Sequence, residues 1–458
     1  MDLTDADAQA LARAVKELFE SAQHAMRDGA GSPLISRITD HLGCPLTEIP
    51  NVALHLPSFE HVNLQRGVDA YLAAHTPDAV WFGISGNRHY ATVIDMLADA
   101  ANSGSHQLGA VDYTTVATGP STSTEAVQIG LVCSTAPDGA PVVLAMQGAK
   151  DDHGEHRCHL QVLAADRGTA AAMRDEIERL AQEHDVFRGQ VLSFGMSEHY
   201  GNQLLTFLPR PALRAEDVVL PDGVLASIER HMVRTDAQTA VLRRYGQHLK
   251  RGLLLYGPPG TGKTHTVRYL LGRLPECTVF VLSGEAMLTR LRATTALARR
   301  LAPSVVVVED VDLIAEQRDM MEGNPVLFEL LNEMDGIGSD ADVTFVLTTN
   351  RVDVVEEALT QRPGRVDLAM EVSKPDADCR ERLLRLYASG TPMDLPSADT
   401  VVAATDGVTA SFIKELVRRA VLRHAADGGA LDDTVIHGVL AELQAEQQAL
   451  TRSILGGH

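Results

Sequence analysis

The chain has 458 residues, 45% of them hydrophobic, enough for two or three domains with cores of their own. A net charge of −21 argues against the broad basic surface that nucleic-acid binding needs. Five scattered cysteines with no Cys-x-x-Cys, an acidic polar N-terminus and no apolar run near 18 residues argue against a secreted or membrane-spanning protein, and the cytoplasm is expected.

Leu11, Val15, Leu18 and Phe19 recur at three- and four-residue steps and predict a helix over 4–27, with Thr4 as its cap. Further helices are expected near 58–75 and 91–101, so residues 1–118 read as a helical region, with the lone Trp81 in its core. GPSTST (119–124) reads as a linker. The period then changes to that of strands in AVQIGLVCS, APVVLAMQG and RCHLQVLAA, followed by a helix over 168–185 and short strands in FRGQVLSF and LLTFLPRP. Residues 125–213 are therefore expected to form a small α+β domain. Within it, DDHGEHRCH offers His153, His156, Cys158 and His159 as zinc ligands. Alternating residues of a hairpin face opposite sides, so a polar turn is the expected reading there.

From residue 214 strands and helices alternate as in a parallel sheet, with a large domain over 214–375 and a helical one over 376–458. The strongest signal is RGLLLYGPPGTGKTHTVRYLL. A short apolar strand runs into Gly257, Pro258, Pro259, Gly260, Thr261, Gly262, Lys263 and Thr264, which fit G-x-x-x-x-G-K-[ST], and a helix follows. Glycines let successive backbone N–H groups turn inward around phosphate, and the helix N-terminus adds its dipole. Lys263 can reach the outer phosphates of ATP, and Thr264 can ligate Mg²⁺. A glycine-rich turn by coincidence is the alternative, and the strand before and helix after weigh against it. Downstream, VVVVEDVDLI predicts a buried strand that delivers Glu309 and Asp310 at its tip, while Asp312 is expected to cap the next helix.

These motifs, with LLNEMDGIG (330–338), TFVLTTN (344–350), ALTQRPGRVD (358–367) and TDGVTASFIKELVRRA (405–420), resemble the AAA family of ring-forming ATPases in order and spacing over about residues 215–445. The resemblance implies an α/β fold: a P-loop AAA core with a parallel sheet and a C-terminal helical lid, here preceded by the helical region and the α+β domain. It implies Glu309 and Thr264 as the Mg²⁺-side ligands and Asp310 as the acid that polarises the attacking water. Asn350 would orient that water, and Arg362 and Arg365 would reach a neighbouring subunit's ATP. ALTQRPGR holds one more residue before its first arginine than the common form, which affects Arg362 more than Arg365. EDVVLP (216–221), Gly407 and Ala410 would lie near the adenine. A homo-oligomer, a hexamer in this family, and a protein client follow from the same resemblance.

The Glu-Asp order reverses the usual Asp-Glu and resembles that of mitochondrial AAA chaperones of respiratory complex III assembly. Asp310 is one methylene shorter than the usual acid, a withdrawal of roughly 1 Å that can cost about a hundredfold in rate unless the backbone compensates. Exchanging the two acids is therefore expected to leave hydrolysis equal or faster. LSGEAMLTRLRATTALARRLAPS (282–304) has no aromatic residue of the kind that grips substrate in unfoldase pores, only Met287 and Leu288 as modest substitutes. No HExxH follows the core, which argues against a membrane AAA protease. Three function classes are carried forward: an ATP-driven remodeller, a nucleotide-gated binding module with slow turnover, and a nucleic-acid motor or loader.

Overall fold

The computed structural model describes residues 13–17, 32–86, 91–149, 157–196, 203–233, 236–283, 285–312, 325–336, 341–351, 366–391, 398–427 and 431–455. The chain divides into two compact units, 1–187 with 195–207, and 188–194 with 208–458.

The first unit contains α1 (Pro33–Leu42), β1 (Val52–Pro57), α2 (His61–His75), β2 (Gly83–Ser85), α3 (Val93–Asn102), β3 (Gln107–Gly109), β4 (Asp112–Ala117), β5 (Ser123–Thr135), β6 (Pro141–Gln147), β7 (Arg157–Leu163) and α4 (Arg167–Glu183). An antiparallel sheet in the order β1-β7-β6-β5-β4 carries helices on both faces. On β6, Val142, Leu144 and Met146 join a core with Leu64, Val68 and Tyr71 of α2 and Met173 and Ile177 of α4. Val143 and Ala145 point the other way, into a core with Leu34 and Ile38 of α1 and Met96 of α3. A strand covered on both sides is apolar throughout rather than alternating. Helices α2 and α4 meet at Gly67, where an added Cβ would lie 2.7 Å from the Ile177 carbonyl oxygen.

This sheet redraws the expected boundaries. β1 and β4 fall inside the stretch read as a helical region, yet they flank β5–β7 in one sheet, so residues 1–118 and 125–163 fold together. GPSTST forms the β4–β5 turn and the first two residues of β5, tied by Thr118 N–H to the Thr122 carbonyl, rather than an inter-domain linker. On β7, Cys158 is buried in the core while His159 pairs with His55 across the strands, the alternation the hairpin reading requires. His153 and His156 lie outside the described residues, as does most of the 4–27 helix.

In the second unit, after α5 (Val224–Met232) and α6 (Asp236–Arg244), the elements are β10 (Arg251–Tyr256), α7 (Lys263–Gly272), β11 (Thr278–Leu282), α8 (Glu285–Arg300), β12 (Ser304–Val308), α9 (Pro325–Gly336), β13 (Val343–Thr349) and β14 (Leu368–Glu371). The chain passes between the units through β8 (Val191–Met196) and β9 (Gln203–Leu208). Val191–Ser193 of β8 lie parallel to β11, so the short strand expected in FRGQVLSF, placed by the sequence in the small α+β domain, extends the second unit's sheet. The parallel order β14-β10-β13-β12-β11-β8 sets β10 between β13 and β14. The C-terminal ends of β10, β13 and β12 are therefore neighbours, where ligands bind in open α/β sheets. Four helices follow, α10 (Ala377–Ala388), α11 (Ala398–Ala404), α12 (Ala410–Asp427) and α13 (Asp433–Leu455), around a core of Leu383, Ile413, Leu416, Ile436 and Leu440.

Candidate functional site

β10 delivers the glycine-rich loop. Gly257 has φ 145°, and an added Cβ would lie 2.3 Å from the Val372 carbonyl oxygen, so only glycine fits there. The turn is braced by Thr261 Oγ1, which donates to the Pro258 carbonyl at 2.9 Å. Gly260, at φ 77°, accepts a hydrogen bond from the Ser411 amide at 3.0 Å, so the first turn of α12 rests on the loop. Gly262 caps α7 with φ 111°, and α7 begins at Lys263, aiming its N-terminus at the loop. Both features form the backbone cradle that phosphate needs.

Lys263 is buried, and all three ammonium protons have acceptors: the Gly257 carbonyl at 2.8 Å, the Pro258 carbonyl at 2.9 Å and Asn350 Oδ1 at 2.8 Å. Burial pushes its pKa below the ordinary lysine value, and the negative charges of Asp310 and Asp312 oppose that shift.

At the tip of β12 the adjacent acids diverge. The Glu309 side chain is hydrogen-bonded to the Thr264 side chain, with Arg268 contributing opposite charge. Burial and the neighbouring Asp310 nevertheless hold the Glu309 carboxyl above its ordinary value. Asp310 turns to β13, where its amide donates to Thr348 Oγ1 at 3.0 Å and its Oδ1 accepts from Asn350 Nδ2 at 3.3 Å. Among the described residues it is the non-glycine residue with positive φ, 51°. Aspartate tolerates that left-handed conformation better than most side chains.

Among the described residues, the Asp312 carboxylate, expected to cap a helix, is bonded to the end of β13. It is buried, and its Oδ1 accepts from Thr349 Oγ1 at 3.0 Å and from the Asn350 amide at 3.1 Å, which fixes the end of β13. Sequence reasoning missed this role. The available signal was a third acid two residues beyond Asp310 on a short apolar segment. The loop contact of Ser411 was also missed.

The structure therefore gathers Gly257–Thr264, Glu309, Asp310 and Asn350 in one place. Arg362 and Arg365 lie outside the described residues, as do the side chains of Met287 and Leu288. Of the segments expected near adenine, 216–221 is anchored through the Asp217 carbonyl, which accepts from His265 Nε2 of α7 at 2.9 Å. The donor set suits a nucleotide with Mg²⁺. Gly257 and Gly260 are held where a Cβ would strike Val372 or Ser411, which keeps the loop tight, and the paired hydroxyl and carboxylate of Thr264 and Glu309 are hard oxygen ligands.

The parallel sheet, phosphate loop and paired acids define a P-loop ATPase core with flanking helices. Residues 253–374 match the family model described as ATPase family associated with various cellular activities (AAA), so this segment is an AAA domain. Similar proteins include the ATP-dependent zinc metalloprotease FtsH 2 of Symbiobacterium thermophilum, 33% identical over 252 residues, 51% of this chain and 40% of that protein. The ATP-dependent zinc metalloprotease FtsH of Mycobacterium bovis is 33% identical over 286 residues, 59% of this chain and 35% of that protein. That of Rhodococcus erythropolis is 31% identical over 261 residues, 53% of this chain and 30% of that protein. The chain thus spans less than half the length of these relatives. The AAA domain indicates ATP hydrolysis as the chemistry of this site.

Proposed function

We propose that this chain is a ring-forming AAA ATPase that couples ATP hydrolysis to the remodelling of a protein client. The observation that carries the reading is the single network in which Asn350 joins Lys263 to Asp310. Lys263 exchanges its two loop-carbonyl bonds for the outer phosphate oxygens, and the loop amides with the N-terminus of α7 hold the rest of the triphosphate. Thr264 and Glu309 would hold Mg²⁺, which would supply charge neutralisation for the phosphate oxygens. Asp310 accepts a proton from a water that Asn350 orients in line with the γ-phosphorus. The new P–O bond forms as the bond to the β,γ-bridging oxygen breaks, giving ADP and phosphate. Arg362 and Arg365 are proposed to act from the neighbouring subunit, where such a finger is worth about 10³–10⁵ in rate.

Glu309 and Asp310 reach different partners, which supports a working site with the acids in reversed order, like the complex III assembly chaperones. No helix among the described residues is long and apolar enough to cross a membrane. The sequence contains no HExxH, so the proteolysis named for the FtsH relatives is not proposed for this chain. Sedimentation with saturating ATP and steady-state turnover, in parent and Arg365→Ala protein, test the reading. It expects an oligomer whose turnover falls at least a hundredfold in the variant. A monomer with unaltered turnover in the variant removes it. The second reading, a nucleotide-gated binding module, is favoured by the absence of aromatic residues in 282–304. Tight ATP binding with negligible turnover, even with client, selects it.

A further inference from the structure

The first unit holds a cavity of about 260 Å³ beside the last strand of its sheet. Thr114–Ala117 of β4 line one side, and Phe59, Phe187, Leu205 and Phe207 line much of the rest. Phe187 packs against both Phe59 and Phe207, with ring centroids 6.2 Å and 5.6 Å apart. Two of the polar lining side chains are committed to the backbone, His61 Nε2 donating to the Val127 carbonyl at 2.9 Å and Gln128 Nε2 to the Ala149 carbonyl at 2.9 Å, and the others are the small hydroxyls of Ser58, Thr114 and Thr115. What the cavity offers a visitor is therefore chiefly apolar and aromatic.

β4 ends the sheet order, and no strand borders its outer side among the described residues. Proteins ordinarily blunt such edges with Lys, Pro or a covering element. The opposite edge, β1, ends in Pro57. β4 is DYTTVA, rich in strand-favouring Tyr, Thr and Val, without Lys, Arg or Pro. The net charge of this unit is negative. Residues 1–187 and 195–207 carry 26 acidic and 11 basic side chains, a net of −15 out of the chain's −21. β4, β5 and β9 contain no basic residue, and Glu125 of β5 is exposed opposite Thr115.

We infer that β4 is a peptide-docking edge: an extended client segment pairs its backbone with residues 112–117, seats an apolar side chain among Phe59, Phe187 and Phe207, and carries Lys or Arg beside it. Backbone pairing supplies affinity and the pocket supplies selectivity, as in other strand-addition complexes. The inference deepens the proposed client function and rests on that reading for its biological use, although the binding itself needs no nucleotide.

The experiment uses the full chain and a fluorescent decapeptide of alternating Val and Thr with a central Leu and two Lys at each end. Anisotropy is measured without nucleotide. Saturable binding is expected, weakened at least tenfold by Phe59→Ala, by Glu125→Lys, by Glu at the peptide ends, and by N-methylation of the alternate amides that pair with β4. Thermal unfolding identifies any variant that fails to fold, and Phe59→Leu should fold and retain binding. Basal ATP turnover should stay unchanged in all variants. Absence of saturable binding overturns the inference, as does an N-methylated peptide binding equally well. Self-association of the chain that Glu125→Lys abolishes would make the occupant a second copy and also overturn it. Peptide binding by a protein that lacks ATP turnover would remove the motor reading and leave the docking edge standing.

Discussion

The Asn350 amide donates to Asp312 Oδ1 at 3.1 Å, so a buried acid two residues beyond Asp310 fixes the backbone from which the Asn350 side chain reaches Lys263 and Asp310. Asp312→Ala leaves the Asn350 amide and the Thr349 hydroxyl without this acceptor, at a cost of about 1–3 kcal/mol. It should lower the unfolding temperature and reduce kcat about ten- to a hundredfold through misplacement of Asn350, with ATP affinity nearly unchanged. Asp312→Asn keeps one acceptor oxygen and should recover most of the rate. Steady-state kinetics with calorimetric ATP titration check both.

The reversed acids gain a backbone explanation. Asp310 sits at φ 51°, where a longer side chain is less well tolerated, so the simple expectation that restoring Asp-Glu order leaves hydrolysis equal or faster is revised. The double exchange Glu309→Asp with Asp310→Glu places Glu in the left-handed position, at a cost of about 1 kcal/mol. It also shortens the side chain that meets Thr264. Turnover should fall below that of the parent and the unfolding temperature should drop. A faster enzyme would show that the left-handed turn is incidental to the Glu-Asp order.

Gly260 couples the phosphate loop to the lid. A Cβ added there would lie 2.2 Å from Ser411 Oγ and 3.3 Å from Thr409 Oγ1, at a φ of 77° that favours glycine. Gly260→Ala should raise KM for ATP about tenfold. Ser411→Ala removes the clashing oxygen and should recover part of the loss without relieving the backbone strain. A double-mutant cycle should therefore show coupling between the sites.

His61 gives the first unit an acid limit. Burial lowers its pKa below the ordinary value of 6.5, against the raising effect of its bond to the Val127 carbonyl. The unfolded chain therefore takes up a proton at a pH where the folded chain does not. Stability should be lost as pH falls from about 6.5 towards the lower folded value and be regained above it. Thermal unfolding between pH 5 and 8 should show this slope, and His61→Gln should flatten it.

The sequence made the phosphate loop legible because the chemistry demands particular residues at fixed spacing between a strand and a helix. The four valines before Glu309 marked β12 for the same reason: a strand buried on both faces is apolar throughout. The first unit was less legible. β1 pairs with β7, in register from Val52↔Val162 to Pro57↔Arg157, and nothing local in a six-residue strand announces a partner a hundred residues away. The roles of Asp312 and Ser411 were hidden because they depend on which strand ends and loops become neighbours. The left-handed turn at Asp310 was hidden because aspartate is only more tolerant of positive φ than most residues, a weak signal beside that of glycine.

Asp310→Asn tests the central claim most directly. Asparagine tolerates the left-handed position and keeps an acceptor for Asn350 Nδ2, but it is a far weaker base towards water. ATP affinity measured by calorimetry should be retained within a few-fold, while single-turnover hydrolysis falls at least a hundredfold. A variant that binds ATP and cleaves it at the parental rate would contradict the assignment of Asp310 and the mechanism built on it.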